Sequence, residues 1–488
     1  VHYEKIEHKF PPRENQKIAI DNAVEALTDT GFHGLFLEMS LGKTKVALNT
    51  AEVLRAYGAL DRVLIVCAKA IQSVWLEEIP KHSNFEDEPL VWKSLTTNKY
   101  RKKLNAFREQ SFQIMIVGLE LFQRKAPRLQ EALVQYYQSP TLVILDESSK
   151  IKNVSTNRAP RLLEMTRGSA YRLALTGTPW TESPLNIFSQ MEFLHEGFWY
   201  KFDPPWKVST LRKHWYIFRN RYAIMRDVTL GGGRTFKQVV GTRRTEEIAK
   251  KIQTHATQQK KVDWVDLPEK IKQTLHVEMS KEQAKAYHTM KELLILEIGD
   301  KVLTAANAGT LLVRLRQIAG GYYPESGEPI DGLPAGLEML LEDVVEYPGK
   351  VIVAATFVAE IEGIVDILTA EYGPENVTTY YGATKDRPEQ LAKFKDSAKF
   401  MVLNPATGAY GLNLQFVSLM YLYSRPFSYE QNVQLEDRIH RPGMTGEAVY
   451  KDIVHTGTVQ EHVIKAVAKK RGVVEAFDCM TLKDFLDT

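Results

Sequence analysis

Four consecutive apolar residues, Leu142 to Leu145, that end in the adjacent carboxylates Asp146 and Glu147 leave this 488-residue chain few folds to choose from. Such a run reads as a strand buried on both faces, which belongs in a parallel sheet covered by helices. An acid pair at the end of that strand is how a nucleotide-hydrolysing α/β domain presents a magnesium ligand and a water-orienting base. The same pattern also arises where a strand simply runs into a solvated turn, so a second mark is needed. About a hundred residues upstream, Leu35-Phe36-Leu37 reads as another short strand, Ser40-Leu41-Gly42-Lys43-Thr44 as a loop, and Lys45 to Tyr57 as a helix. Strand, loop and helix in that order form a phosphate cradle. Backbone N–H groups of Ser40 to Lys45 and the helix dipole bind phosphate oxygens, Lys43 reaches the terminal phosphates, and Thr44 offers a hydroxyl to Mg2+. Leu37 stands where the consensus has its first glycine, so the match is imperfect. The two marks together imply an ATPase.

Further buried strands are predicted at Val63–Val66, Ile114–Val117 and Arg172–Leu175, the last ending in Thr176-Gly177-Thr178-Pro179. Those four residues suit either coupling of the phosphate site to movement or a plain turn. Strands alternating with helical stretches imply a parallel sheet flanked by helices. Gln16, at the start of a helix with Ile20, Val24 and Leu27 on its buried side, either reads an adenine edge or solvates the helix end. A second α/β unit starts near Lys350, with strands at Val351–Ala355, Val377–Tyr381, Phe400–Leu403, Leu419–Tyr423 and Tyr450–Val454. Within it, Arg438 and Arg441 are three apart, on one face if the segment is helical. They suit either arginine fingers for a phosphate or a surface salt-bridge stripe.

Between the two units, Phe198 to Arg244 is basic and aromatic. Lys207, Arg212, Lys213, Arg219, Arg221, Arg226, Arg234, Lys237, Arg243 and Arg244 face a single acid, Asp227, with Trp206, Trp215, Tyr216, Phe218 and Tyr222 interleaved. That texture fits a nucleic-acid backbone contact or an accessory helix with aromatic core and solvated arginines. Gly231 to Gly233 reads as a turn, and Gln258 to Gln273 as a connector. The net charge of +3 neither demands nor excludes nucleic acid. Two cysteines, Cys67 and Cys479, argue against a disulfide framework and for a reducing compartment. No apolar run is long enough for a bilayer, and no signal peptide is evident, so a cytoplasmic protein with no membrane partner is expected.

In this order, the segments resemble helicase superfamily two, and within it the Swi/Snf-type DNA-translocating ATPases. The matching stretches in the first half are Leu37–Thr44, Val63–Ile79, Leu145–Asn153 and Leu173–Trp180. The second half adds Val351–Phe357, Tyr380–Thr384, Leu403–Leu414 and Gln434–Gly443, with Arg244–Ile248, Leu267–Lys270 and Leu315–Ile318 between. The resemblance covers essentially the whole chain and looks most like compact bacterial or phage-encoded members. It implies two RecA-like parallel-sheet lobes of P-loop NTPase type with mainly helical insertions. The corresponding boundaries are 1–195 for lobe 1, 196–265 for a basic insertion, 266–345 for a linker and helical insertion, and 346–488 for lobe 2. It further implies ATP and Mg2+ as cofactors, with Gln16 on adenine, Lys43 and Thr44 on phosphates and metal, and Asp146 holding the metal. Glu147 would position water, and Arg438 and Arg441 would act as fingers. Lys69, Trp75, Lys152 and Asn153 would line or brace a DNA track in the first lobe, and Thr356, Gly382 and Thr407 would line it in the second. The implied partner is double-stranded DNA without sequence preference, and the implied state a monomer in a bacterial cytoplasm or, for a phage protein, the host's. A strand-separating helicase for DNA or RNA and an ATP-gated DNA clamp are the rival readings. The sequence departs from the family pattern at Ser148-Ser149, Phe427-Ser428, Ala406–Ala409 and Met444, which concerns coupling rather than hydrolysis.

Overall fold

The computed structural model describes residues 7–93, 98–110, 112–180, 183–200, 208–229, 235–298, 305–408, 412–444 and 446–468. Trp206, Lys207, Gly231 to Gly233, Arg234, Ala409 and Cys479 lie outside the described residues. The chain divides into two compact units, Val1–Met225 with Gly241–Val265, and Arg226–Val240 with Asp266–Thr488. Among the described residues no helix is long and apolar enough to cross a membrane.

The first unit is built on a seven-stranded sheet. Its strands are β1 (Phe32–Leu37), β2 (Arg62–Cys67), β3 (Leu90–Val91), β4 (Gln113–Gly118), β5 (Thr141–Leu145) and β6 (Tyr171–Leu175), with β9 (Ala256–Gln259) added from further along the chain. Their order is β3-β4-β2-β5-β6-β1-β9, and every pairing is parallel. Every residue of β1, β4 and β5 is buried, as unbroken apolar runs in a sheet covered on both faces require. Helices α1 (Glu14–Thr30), α2 (Lys43–Ala56) and α3 (Gln72–His82) follow or precede these strands. The order puts β1, β6, β5 and β2 side by side. The phosphate-loop candidate, the Thr176–Pro179 turn, the acid pair and Lys69 therefore share one carboxyl edge, where ligands of open α/β sheets bind.

Two edge strands go beyond the sequence expectation. β3 has only two residues, and β9 ends in the first two residues, Gln258 and Gln259, of the stretch that reads as connector. β9 is Ala-Thr-Gln-Gln, polar, and its side chains are satisfied rather than apolar. Thr257 is bonded to His33, and Gln259 exchanges bonds with Asn15. A strand held by such bonds carries no hydrophobic alternation for sequence reasoning to find.

The basic segment contains one helix, Val208–Tyr222, followed by β7 (Ala223–Thr229) and β8 (Thr235–Thr242), which pair as a two-stranded sheet. Leu211, Phe218 and Tyr222 are buried at helical spacing, and Phe218 packs against Trp199 at 4.6 Å and Phe188 at 5.1 Å between ring centres. Arg212 and Lys213 are exposed. The buried aromatics are thus core, and the basic side chains form the opposite, solvated face.

The second unit carries a six-stranded, all-parallel sheet of β10 (Lys270–Val277), β11 (Val351–Ala354), β12 (Val377–Tyr380), β13 (Phe400–Leu403), β14 (Leu419–Leu422) and β15 (Ala448–His455). Its order is β10-β15-β14-β11-β13-β12. Apolar clusters cover it on both sides, one around Val351, Val353, Ile361 and Tyr421 and the other around Ile352, Met401, Leu414 and Leu435. The described residues of the segment before the sheet's second strand include helices Lys281–Ile298 and Ala305–Ala319.

Candidate functional site

At the end of β1 the chain turns through Ser40 and Gly42, both at positive φ, 70° and 86°. Position 42 favours glycine, because side chains rarely adopt its φ of 86° and a Cβ there would crowd Gln16 Nε2 at 2.2 Å. The start of α1 grips the loop. Arg13 donates to the Ser40 carbonyl at 3.0 Å, while Asn15 and Gln16 donate to the Leu41 carbonyl at 3.3 and 3.1 Å. Leu41 itself is fully buried and anchors the turn in the core. Gly42 offers no side-chain cap to α2. The first-turn N–H groups lack intrahelical acceptors, so the positive end of the dipole is presented to an anion. Lys43 Nζ donates to the Leu37 carbonyl at 2.9 Å, folded over the loop it follows. Lys45 Nζ reaches the Pro11 carbonyl at 3.0 Å, and burial and the charge of Arg13 hold its ammonium below the usual lysine range. Gln16 is buried, and its side-chain oxygen accepts from the Arg13 N–H at 3.0 Å. Its amide closes the helix start and holds the loop.

At the end of β5, Asp146 N–H donates to Val66, extending the ladder with β2. The Asp146 carboxylate accepts twice, from the Trp75 indole N–H on Oδ2 at 2.8 Å and from the Glu147 backbone N–H on Oδ1 at 2.9 Å. Burial pushes the Asp146 carboxyl up, opposed by the Trp75 bond and by the Lys43 charge. Glu147 sits at φ 50°, a left-handed conformation uncommon outside glycine and a mark of a held functional residue. Among the described residues no cluster of three or more His, Cys, Asp or Glu side chains is placed to hold a metal by itself. The Asp146 carboxylate and the Thr44 hydroxyl, expected from the sequence to hold Mg2+, would offer two hard oxygen donors, a set that suits an ion shared with phosphate.

Of the two expected roles for Trp75, lining or bracing a DNA track, its burial is at odds with lining. It is 1% exposed, so it has no face to offer a nucleic acid, and it braces Asp146 instead. Lys69 is exposed, and its backbone N–H is accepted by both Glu120 carboxylate oxygens at 3.1 and 3.2 Å. Lys152 is half-buried and Asn153 exposed, its side-chain oxygen accepting from Ser155 N–H at 2.8 Å. These residues follow β2 and β5, neighbours in the sheet.

In the second unit, Thr356, Gly382 and Thr407 follow β11, β12 and β13, three adjacent strands. Thr356 exchanges bonds with Ser424, its N–H donating to the Ser424 hydroxyl at 2.7 Å and its own hydroxyl to the carbonyl at 2.9 Å. Asn404, which sequence reasoning passed over, donates to the Thr356 carbonyl at 2.9 Å and accepts from Ala406 N–H. Gly382 is exposed, and its carbonyl accepts from Arg387.

Arg438 and Arg441 do not share a helical face. The helix Tyr429–Glu436 ends before them, and they lie in the irregular turn that follows. Arg438 is 5% exposed and donates to Leu412, while Arg441 Nε donates to the Asp437 carbonyl at 2.8 Å. The turn is set by a buried ion cluster. Glu436 accepts from Arg425 at 3.0 Å, Lys272 at 2.9 Å and Lys270 at 3.3 Å, while Arg425 clasps Asp452 with two nitrogens. Ser428, a departure from the family pattern, caps the helix by accepting from Gln431 N–H. The Thr176–Pro179 turn, which in sequence suits either coupling or a plain turn, lies beside the phosphate lysine: a Cβ at Gly177 would stand 3.3 Å from Lys43 Nζ.

Among known proteins, the description "SNF2-related domain" matches residues 28–320, and "Helicase conserved C-terminal domain" matches residues 336–443. The chain is 23% identical to putative protein p41 of Acyrthosiphon pisum secondary endosymbiont phage 1, over 95% of this chain and 97% of that protein. It is 22% identical to an uncharacterized ATP-dependent helicase of Mycoplasma genitalium, over 93% of this chain and 41% of that one. It is likewise 22% identical to the ATP-dependent DNA helicase DDM1 of Arabidopsis thaliana, over 91% and 59%. The chain thus spans nearly all of the phage relative but only part of the others' length. The Sulfolobus solfataricus SWI2/SNF2 ATPase core in complex with dsDNA aligns at a TM-score of 0.42 and 21% identity, over 96% of this chain and 93% of that one. The family match takes in more than half of the sequence, and it places this chain in the SNF2-related family of helicase-like ATPases.

Proposed function

We propose that this chain is an ATP-driven motor that moves along double-stranded DNA and remodels DNA or the proteins bound to it. The observation that supports it best is the carboxyl edge of the first sheet. There the open helix N-terminus at Gly42, Lys43 beside Gly177, and the acid pair braced by Trp75 follow three adjacent strands. Exposed Lys69 and Asn153 lie at the ends of β2 and β5 on the same edge.

The loop of Ser40 to Lys45 holds the ATP phosphates, with Gln16 toward the adenine. Thr44 and Asp146 would hold Mg2+, which would supply charge neutralisation for the phosphates. Glu147 orients the attacking water, and the guanidinium groups of Arg438 and Arg441 are assigned to the charge on the transferred phosphoryl group. Lys69, Lys152 and Asn153 contact DNA in one unit and Thr356, Gly382 and Thr407 in the other, through the backbone rather than the bases.

ATP turnover measured with and without duplex tests the reading, and several-fold stimulation by duplex is expected. Absence of stimulation would sink the motor. Triplex displacement without opening of a forked duplex separates sliding on duplex from strand separation. Glu147→Gln should bind nucleotide normally while turnover falls by about 10²-fold or more. A fully active variant would remove Glu147 from its role.

A further inference from the structure

Ser148 follows the water-orienting Glu147, and its hydroxyl donates to Gln190 Oε1 at 2.7 Å. The other end of the Gln190 amide donates to the Pro179 carbonyl at 2.7 Å and to Asn186 at 3.0 Å. Ser148 and Gln190 are both fully buried. Gln190 lies on the short helix Phe188–Leu194, whose Ser189 also donates to the Ile151 carbonyl at 2.5 Å. This helix therefore grips the turn after the acid pair twice and the Thr176–Pro179 turn once. That second turn reaches the phosphate lysine, because Gly177 lies against Lys43 Nζ. It is fixed to the sheet by Thr176 N–H on Leu35 and folded on itself by Thr178 N–H on the Thr176 hydroxyl.

We propose that Gln190, acting through Ser148, is a positioning residue that couples the Thr176–Pro179 turn to Glu147. The inference rests on the ATPase reading and adds to it a route within one unit, from Lys43 through Gly177, Pro179, Gln190 and Ser148 to Glu147. Three arguments carry it. The amide has a single orientation, since its oxygen faces a hydroxyl and its nitrogen two carbonyls, so a shift of Pro179 is passed on rather than absorbed. The site excludes water, and a broken bond there finds no solvent replacement. Glu147 is held at positive φ, a conformation that persists only when its surroundings fix it on both sides. On one side its N–H is held by Asp146, and on the other Ser148 is held by Gln190. An apolar side chain of similar size would fill position 190 with no partners to satisfy. A glutamine there is useful where orientation matters.

The test compares the full chain with Gln190→Leu, Ser148→Ala and the double variant. Readouts are ATP turnover with and without duplex, affinity for a fluorescent ADP analogue, and folded fraction by thermal unfolding. Loss of the link should lower duplex-stimulated turnover about tenfold or more in Gln190→Leu, which removes the bonds to Ser148, Pro179 and Asn186 together. The drop should be larger than that in basal turnover, with ADP-analogue affinity within about twofold. Ser148→Ala keeps the helix packing and should fall in the same direction. The double variant should be no slower than Gln190→Leu, because both changes break one connection. Turnover within about twofold of the unmodified chain in both single variants, additive losses, or losses matched by unfolded protein would each overturn the coupling. An unmodified chain that fails to hydrolyse ATP removes the ATPase reading and the coupling with it. Normal turnover with indifferent variants removes only the coupling.

Discussion

Trp75 stands 71 positions before Asp146 in sequence and donates to its carboxylate in the fold. Nothing near either residue announces the other. A hydrogen bond to a charged group in a poorly solvated site contributes about 1.5–3 kcal/mol and fixes the direction in which the second lone pair of the oxygen points. Trp75→Phe keeps most of the packing and removes the donor. Its expected outcome is a higher Mg2+ concentration for half-maximal ATP turnover and turnover lower by about tenfold. The same variant should weaken Mg2+-dependent binding of a fluorescent ADP analogue, a readout independent of catalysis. An Mg2+ titration superimposable on that of the unmodified chain would leave the indole a packing role only. Gly42, Lys43 and Thr44, by contrast, were legible because the strand, turn and helix that give them meaning are contiguous.

The turn that carries Arg438 and Arg441 owes its shape to charges brought in by β10, β15 and the segment after β14. Burial by itself would raise the Glu436 carboxyl, but Lys270, Arg425 and Lys272 overrule it and hold it down at about 2. A folded value depressed below the ordinary 4.5 means that the stabilisation is complete above pH 4.5 and is lost as pH falls toward 2. Glu436→Gln should therefore destabilise the full chain at pH 7 by on the order of 3 kcal/mol in urea unfolding. The difference should shrink steadily as the pH is lowered from 4.5 toward 2. A constant difference across that range would assign the loss to packing rather than charge. An accessory helix was one of two readings of Phe198 to Arg244, and the buried strands were visible in sequence. The polar edge strand β9 and the paired β7 and β8 were not, because they carry no apolar alternation.

The seven- and six-stranded sheets are parallel throughout, and the net charge of the chain is only +3. In the proposed motor, attraction to duplex comes from local groups at the strand ends rather than from the total charge. Binding to duplex should fall linearly on a plot of log affinity against log salt, with the same slope for unrelated sequences. Lys69→Ala should reduce that slope by about one contact. An unchanged slope would take Lys69 off the DNA, and a strong sequence preference would replace backbone contact with base readout.

By itself, the sequence determined the order of buried strands, the phosphate loop at Gly42-Lys43-Thr44 and the acid pair at Asp146-Glu147. Strand burial, turn chemistry and helix starts are written within about ten consecutive residues. The tertiary structure alone decided what aims those groups: Trp75 on Asp146, Gln190 under Ser148, Gly177 against Lys43, and Glu436 among three cations. Such partners meet only when parallel strands distant in sequence become neighbours, and a side-chain bond between them imposes no periodicity on the residues around either end.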